Sequence, residues 1–114
     1  MSEQVYNSLT TYASTTERWA GADRYSTSAL VSVNAFPDPA AVDRVYIASG
    51  EIFSDALSGG AAAAAGGSPL LLTRGGSVPP AVATELQRLD PSEIIVLGGP
   101  NTINQTVLDQ LGTI

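Results

Sequence analysis

Glycine and short polar residues follow three apolar runs of this 114-residue sequence, at residues 49–55, 74–77 and 98–101. If those runs are parallel strands, the three segments lie together at the carboxyl edge of one sheet, where open α/β folds bind their ligands. Each segment also leads into a helical pattern, and the free amides and positive dipole end of a helix can hold an anion. We therefore expect an anion-binding edge. The alternative is that glycine only makes tight turns there, with ordinary helix caps at Ser54, Ser77 and Asn104.

Glu51 and Asp55 are the best-placed pair of carboxylates in the first segment. Two carboxylates can serve glycoside hydrolysis or bind a divalent metal. Asp55 equally suits the first turn of a helix, where a negative charge is favourable. Gly98-Gly99-Pro100 is not the spaced G-x-G-x-x-G fingerprint, and no P-loop is present. We expect no catalytic residue and no metal ligand.

The composition excludes several classes of chemistry. Cysteine and histidine are absent, and the five basic residues are all arginine, so lysine is absent too. These absences exclude a disulfide framework, a thiolate metal site, a Ser-His-Asp arrangement and Schiff-base chemistry. The formal net charge of −6 opposes binding to nucleic acid and anionic lipid. No apolar stretch approaches the roughly 20 residues that cross a bilayer. We expect no nucleic-acid partner, no membrane insertion and no cofactor.

Three wholly apolar runs, at residues 45–48, 70–72 and 94–97, predict strands that are covered on both faces, as in parallel sheets. Helical periodicity alternates with them. Its apolar positions are Tyr25, Ala29, Val33 and Phe36, then Val82, Leu86 and Leu89 behind Pro79-Pro80, then Val107, Leu108 and Leu111. This alternation predicts a three-layer α/β fold with a small, mainly parallel sheet of residues 44–48, 69–73 and 93–98.

Residues 59–67, GGAAAAAGG, have the composition of a flexible linker. Alanine, however, is the best helix former, and small side chains let a helix approach a sheet closely. We therefore predict a helix that begins near Ser54 and ends at a left-handed cap supplied by Gly66-Gly67.

The two ends of the chain resemble each other. Val5, Asn7 and Leu9 are matched 102 positions later by Val107, Asp109 and Leu111. We interpret residues 1–14 as an N-terminal segment that contains the last helix of a preceding copy, and residues 15–114 as one repeat domain.

Four motifs, in order, resemble those of the bacterial cell-wall-binding repeat 2 family. Residues 17–27, ERWAGADRYST, resemble its opening R-x-A-G-x-D-R-Y-x-T. Residues 49–57, SGEIFSDAL, resemble its S-G-x-x-F-x-D-A-L. The third and fourth motifs correspond to PLLLT at residues 69–73 and to the strand and LGGP at residues 94–100. The resemblance covers residues 17–111.

The resemblance implies a non-enzymatic module, usually in three tandem copies, found in surface-layer proteins, peptidases or autolysin-type enzymes of Gram-positive bacteria. It implies a secreted protein at the cell wall or cell surface, attached without covalent bonds to an anionic wall polysaccharide. The polar start, MSEQ, has no signal-peptide pattern, so we expect the signal to lie outside this sequence. The implied fold is a Rossmann-like, toprim-like domain, of which three copies pack in a triangle.

Toprim enzymes hold magnesium with a glutamate after the first strand and an acidic D-x-D after a later one. Glu51 stands roughly in the first of these places, but Gly98-Gly99-Pro100 offers no acidic motif. Metal-dependent phosphoryl transfer is therefore disfavoured.

A chain with net charge −6 can bind a polyanion only through local contacts, within a Debye length of about 8 Å in physiological salt. Arg24 lies in the first motif and Arg74 ends the second strand, so we expect both to be anchors, with Arg18 as a third candidate. A structural ion pair is the alternative role for each. The loop glycines would let ligand oxygens reach the backbone. The expected ligand-binding residues are Arg18, Arg24, Ser49, Gly50, Glu51, Ser54, Asp55, Arg74, Gly75, Gly98, Gly99 and Asn101.

Two other functions stay open from the sequence: a small Rossmann-type enzyme that depends on a nucleotide or a metal, and a module that serves only assembly. A narrow sheet leaves apolar surface of its helices uncovered, and neighbouring copies would cover that surface in an array. Three free copies could reproduce the packing with true threefold symmetry. The expected protein partners are neighbouring repeats or a homotrimer.

Overall fold

The computed structural model describes residues 2–114, which contain five α-helices and three β-strands. In chain order these are α1 (Glu3–Leu9), α2 (Arg24–Ala35), β1 (Arg44–Ser49), α3 (Phe53–Gly66), β2 (Leu70–Thr73), α4 (Pro80–Leu89), β3 (Glu93–Leu97) and α5 (Gln105–Gly112). A short 3-10 helix, Pro39–Ala41, precedes β1. The predicted alternation of helices and strands is confirmed.

The three strands form one parallel sheet in the order β2-β1-β3. Tyr46 of β1 lies opposite Leu70 of β2 and Ile95 of β3. The crossover through α3 runs from β1 to one side, and the crossover through α4 returns past β1 to the other side. Because such crossovers are right-handed, the two helices lie on opposite faces of the sheet. The predicted three-layer, Rossmann-like α/β fold is confirmed, with strands where the apolar runs placed them.

One face of the sheet carries the main core. Alternate strand residues, Val45 and Ile47 of β1 and Leu71 of β2, are completely buried there. The helical residues that complete this core are Val82, Leu86 and Leu89 of α4 and Val107 and Leu111 of α5, with Tyr25 of α2. The predicted apolar positions of α4 are therefore confirmed.

Helix α3 covers the other face through its small residues. A β-carbon added at Gly59 would lie 2.8 Å from Leu97 Cδ1 and 3.1 Å from Leu70 Cδ1, so the helix backbone rests closely on the sheet. The helix ends at Gly67, which has φ 64° and donates its amide to the carbonyls of Ala63 and Ala64. The helix and its left-handed glycine cap are thus as predicted.

Of the three helix caps in the alternative interpretation of the loops, two are wrong. Ser54 lies inside the first turn of α3, whose cap position is occupied by Ile52 with no side-chain hydrogen bond. Pro79 takes the cap position of α4, while the carbonyl of Ser77 accepts a hydrogen bond from Thr73 Oγ1 at 3.0 Å. Asn104 does cap α5, since its side chain accepts from the amide of Val107.

The expected buried face of α2 is wrong at one position. Val33 is 40% exposed, and Ser32 is buried instead. Ser32 Oγ donates to Glu85 Oε2 at 2.5 Å, and the Glu85 carboxylate also accepts two hydrogen bonds from Arg88. Arg88 Nη2 donates further to the carbonyl of Phe36 at 2.9 Å. A polar contact between α2 and α4 therefore overrides the apolar periodicity.

Candidate functional site

Two arginines lie beside one aromatic ring at the carboxyl edge of the sheet. Arg24 Nη1 donates to the carbonyl of Gly50 at 2.6 Å. The backbone of Gly50 lies so close to Tyr25 that an added β-carbon would be 2.6 Å from Tyr25 Cε1. Arg74 Cζ stands 4.5 Å from the centre of the same ring, a cation–π contact. Arg24, Gly50, Tyr25 and Arg74 form one cluster, called here the arginine cluster.

The start of α2 fixes the arginine cluster in place. Arg24 and Tyr25 are its first two residues, and Asp23 caps it by accepting from the amide of Ser26 at 2.8 Å. Ser26 Oγ in turn accepts from the amide of Asp23 at 3.1 Å, which completes a capping box. The backbone and side-chain hydrogen bonds from Ser26 lower the pKa of Asp23, and the charge of Arg74 adds a smaller effect in the same direction.

The first two loops are tied together by Glu51. Its Oε1 accepts from the amide of Gly75 at 2.8 Å. Ser49 is 1% exposed, and its Oγ accepts from the amides of Glu51 and Ile52, so its hydroxyl shapes the loop from inside. Ser49 and Gly75 therefore have structural partners, while the surface that they shape faces outward.

The third loop joins the same edge at both of its ends. A β-carbon added at Gly98, whose φ is 126°, would lie 3.3 Å from Asp55 Oδ2. Further along, the amide of Asn104 donates to the carbonyl of Gly75 at 2.9 Å. Between these points Gly99 and Asn101 are exposed. The structure thus brings all three predicted loops to one edge.

Two predicted residues lie apart from the arginine cluster. Arg18 Cζ lies 4.8 Å from the ring centre of Tyr6 in α1, so Arg18 contacts the N-terminal helix. Ser54 is exposed in the first turn of α3.

A cavity of about 440 Å³ opens beside the arginine cluster, and sequence reasoning did not find it. Arg24 and Glu51 supply its charged groups, and Phe53 is 78% exposed there. The remaining lining residues are Gly50, Ile52, Ala56 and Leu72. The only sequence signal for it was the phenylalanine of the second motif. The position of Tyr25 under Arg74 was also missed, because helical periodicity assigns Tyr25 to the core without showing what its ring edge touches.

Glu51 and Asp55 do not form part of a larger acidic group. Within residues 2–114, no three acidic side chains lie close enough together to hold a metal ion. In the same part of the chain, no helix has the length and apolar character that crossing a membrane requires.

The edge therefore presents arginines, an aromatic ring and glycine-rich backbone on a Rossmann-like scaffold. The family described as cell wall binding domain 2 (CWB2) matches residues 18–108, most of the chain. The chain belongs to this family. It is a cell-wall-binding module, and the family places it at the cell wall or cell surface.

Relatives of this CWB2 domain are much longer proteins. It is 29% identical over 96 residues to the amidase enhancer of Bacillus subtilis (strain 168). The matched region covers 84% of this chain and 13% of that protein. Among solved structures, Cwp6 from Clostridium difficile matches with a TM-score of 0.77 and 28% identity, over 83% of this chain and 15% of that one. Cwp6 shares the fold, and the CWB2 domain spans about one seventh of each relative.

Proposed function

We propose that this CWB2 domain is a non-catalytic module that attaches a secreted surface protein of a Gram-positive bacterium to an anionic cell-wall polysaccharide. The observation that carries the proposal is the state of Arg24 and Arg74. Across residues 2–114, neither guanidinium forms an ion pair with a carboxylate. Arg24 uses Nη1 on a carbonyl and Arg74 stacks on Tyr25, so both keep N–H donors for an anionic group.

The charge around the arginine cluster is mixed, which shapes what it can bind. Asp23, Glu51 and Asp55 lie close to the same edge, and the whole chain carries −6. Long-range attraction of a polyanion is therefore absent, and recognition depends on contacts at hydrogen-bond distance. Forked guanidinium donors suit that requirement because they bind carboxylate and phosphate groups in a fixed geometry.

The cavity beside the arginine cluster suits the sugar part of such a polymer. Phe53 and Leu72 offer apolar surface on which the less polar face of a sugar ring can pack, and Arg24 and Glu51 offer polar partners for its hydroxyl groups. The exposed backbone of Gly99 and the side chain of Asn101 extend the polar surface along the edge. Ser49, Glu51 and Gly75 hold the loops in shape in this proposal.

The binding proposal is tested by co-sedimentation with purified wall polysaccharide, using the unaltered chain and two variants. We expect Arg24→Ala combined with Arg74→Ala to lose at least tenfold in affinity while the domain stays folded, which circular dichroism checks. Arg44→Ala is the matched control, because Arg44 lies at the opposite edge in an ion pair with Glu93. If the double variant binds wall material as the unaltered chain does, the site lies elsewhere. An unaltered chain that binds no polymer favours the assembly-only function.

The absence of catalysis is part of the proposal and has its own test. The chain contains no histidine, cysteine or lysine, and Glu51 Oε1 accepts a hydrogen bond from the amide of Gly75. We expect no turnover of peptidoglycan, glycan or nucleotide with magnesium by the pure domain. Hydrolysis that Glu51→Gln abolishes would overturn this part, and heat released on titration with nucleotide and magnesium would favour the enzyme alternative.

We also propose that residues 15–114 form one repeat and that its uncovered surface packs on neighbouring repeats or, in the free domain, on two further copies. Leu57 is 60% exposed, and Val31, Val33 and Leu108 are each 40% exposed. We expect a homotrimer, or a monomer that trimerises at high concentration. Higher ionic strength should increase the trimer, because salt screens the −6 charge of each chain. Light scattering over a concentration and salt series decides this, and a strict monomer throughout would contradict it.

A further inference from the structure

The N-terminal helix repeats the C-terminal one in detail. Both begin at positions 102 residues apart, α1 at Glu3 and α5 at Gln105. The residue before each start caps it in the same way. Ser2 Oγ accepts from the amide of Val5 at 3.2 Å, and Asn104 Oδ1 accepts from the amide of Val107 at 3.3 Å.

The two helices also end alike. Thr11 Oγ1 donates to the carbonyl of Ser8 at 2.7 Å, and Thr113 Oγ1 donates to the carbonyl of Gln110 at 2.8 Å, again with a shift of 102. The amide of Tyr12 donates to the carbonyl of Leu9, and the amide of Ile114 donates to the carbonyl of Leu111, so these hydrogen bonds also correspond. Residues 2–12 and 104–114 therefore match at the cap, at two apolar positions and at the closing turn.

Burial separates the two copies. In α5, Val107 is 0% and Leu111 7% exposed, whereas their counterparts in α1, Val5 and Leu9, are 48% and 41% exposed. No residue of α1 is buried. The apolar stripe that seats α5 in the core is therefore uncovered in α1.

The contact that holds α1 in place is made by Tyr6, which neighbours Leu9 on the helix surface. Tyr6 donates its hydroxyl to the carbonyl of Thr16 at 3.2 Å and lies under the Arg18 guanidinium. Its counterpart in α5 is Leu108, which faces outward and is 40% exposed. The segment that follows α1 lies beside Tyr6 and Leu9, yet about half of Val5 and two fifths of Leu9 stay exposed, at 48% and 41%.

We infer that α1 docks through Val5 and Leu9 into the α5 seat of another domain with this fold that precedes it in the chain. The α5 seat is the part of the core that Val107 and Leu111 cover, bounded by Gly75 and Val78. Gly75 accepts from the amide of Asn104, and the amide of Val78 donates to Gln110 Oε1 at 2.8 Å. The inference rests on the proposed division of the chain near residue 14, and it does not depend on polymer binding.

A two-body chain, residues 1–103 followed directly by residues 2–114, tests this seat. The chain has no cysteine, so introduced pairs report without interference. Val78→Cys with Gln110→Cys in the single chain is the benchmark disulfide. In the two-body chain, the α1 helix at the junction is called the central helix. We place Val78→Cys in the first body and Ser8→Cys, the counterpart of Gln110→Cys, in the central helix. We expect these two cysteines to form a disulfide with a yield within about twofold of the benchmark.

Charged substitutions of the stripe provide the matched controls. In the central helix, Val5→Asp with Leu9→Asp should abolish the disulfide and expose the first body to trypsin, while Asn7→Asp should change neither. In the single chain, Val5→Asp with Leu9→Asp should leave the thermal midpoint unchanged, whereas Val107→Asp with Leu111→Asp should unfold the domain. The inference is overturned if the benchmark disulfide forms in the single chain but the Val78–Ser8 disulfide does not form in the two-body chain. The inference is also overturned if trypsin digests the first body equally fast with the unaltered Val5 and Leu9 and with their aspartate substitutions, whether or not the disulfide forms. Wall-polymer binding by the second body is expected in every variant, so failure here is distinguishable from failure of the proposed function.

Discussion

Arginines at the two ends of this domain have different partners. Arg44 at the amino edge pairs with Glu93, and Arg88 binds the buried carboxylate of Glu85. Arg24 and Arg74 at the carboxyl edge contact a backbone carbonyl and an aromatic ring instead. Pairing with a carboxylate neutralises an arginine and uses its donors, whereas stacking and a single carbonyl leave charge and donors available. The partner of each arginine, rather than its position in the sequence, separates fold-stabilising arginines from candidate ligand contacts.

The largest expected effect comes from breaking the buried pair. Glu85→Ala removes the acceptor of hydrogen bonds from Ser32 and Arg88 and leaves a cavity between α2 and α4. Breaking a buried ion pair costs roughly 3–5 kcal/mol, and we expect about 3 kcal/mol because the Arg88 side chain is 29% exposed. Urea unfolding measures the loss. Glu93→Ala, at the exposed pair, is the control and should change stability little. Equal effects of the two variants would remove the distinction between them.

Next in size is the loss of the stacked arginine. Arg74→Ala removes a charge-assisted contact worth roughly 1.5–3 kcal/mol, so polymer affinity should fall at least tenfold with the fold intact. Arg74→Lys keeps the charge but loses the planar stack on Tyr25, and we expect an intermediate loss of about two- to fivefold. Binding isotherms for the three proteins make the comparison. Lysine that binds as well as arginine would show that only charge matters at this edge.

A smaller effect on stability should follow from filling the space beside Tyr25. Gly50→Ala would place a methyl group 2.6 Å from Tyr25 Cε1, so the ring must shift and carry the Arg74 stack with it. Overpacking of this kind costs about 1–2 kcal/mol when one side chain can move. Gly99→Ala is the matched control, because nothing lies within 4 Å of its added carbon. Thermal unfolding of both variants tests this, and identical midpoints would show that Tyr25 is not held against Gly50.

The smallest expected effect is a change in pH dependence at the cap of α2. Because the pKa of Asp23 is lowered in the folded state, its charged form stabilises the fold above about pH 4, and this contribution is lost as the pH falls through the lower folded-state value. Asp23→Asn should therefore lose less stability than the unaltered chain between pH 5 and pH 2. Arg74→Ala should show a weaker change in the same direction. Parallel stability curves for Asp23→Asn and the unaltered chain would contradict the assignment.

The sequence predicted the scaffold well because apolar runs and helical periodicity are local signals. Strands β1, β2 and β3, the alanine-rich α3 with its cap at Gly67, and the meeting of the three loops all followed from such patterns. Ser32 was not predicted to be buried, because its burial depends on Glu85, 53 residues away. A periodic pattern carries no information about a polar partner on another helix.

The candidate site was predicted less completely, for the same reason. The positions of Arg24 and Arg74 at loop ends predict ligand contacts, and the structure places both beside Tyr25. Arg18, the third candidate, instead contacts Tyr6 of the N-terminal segment. Which aromatic ring an arginine meets is decided by tertiary packing, so residue type and loop position can select the candidates but not sort them.

Strand β2 lies at the edge of the sheet, and its three leucines are the kind of sequence that recruits strands from other molecules. One amide on this strand, that of Leu72, donates to Ser28 Oγ of α2 at 3.2 Å rather than to another strand. The hydroxyl therefore blocks one position at which a foreign strand would pair. We expect this hydrogen bond to make the leucine edge a poorer template for strand addition, and Ser28→Ala to open that position to a foreign strand.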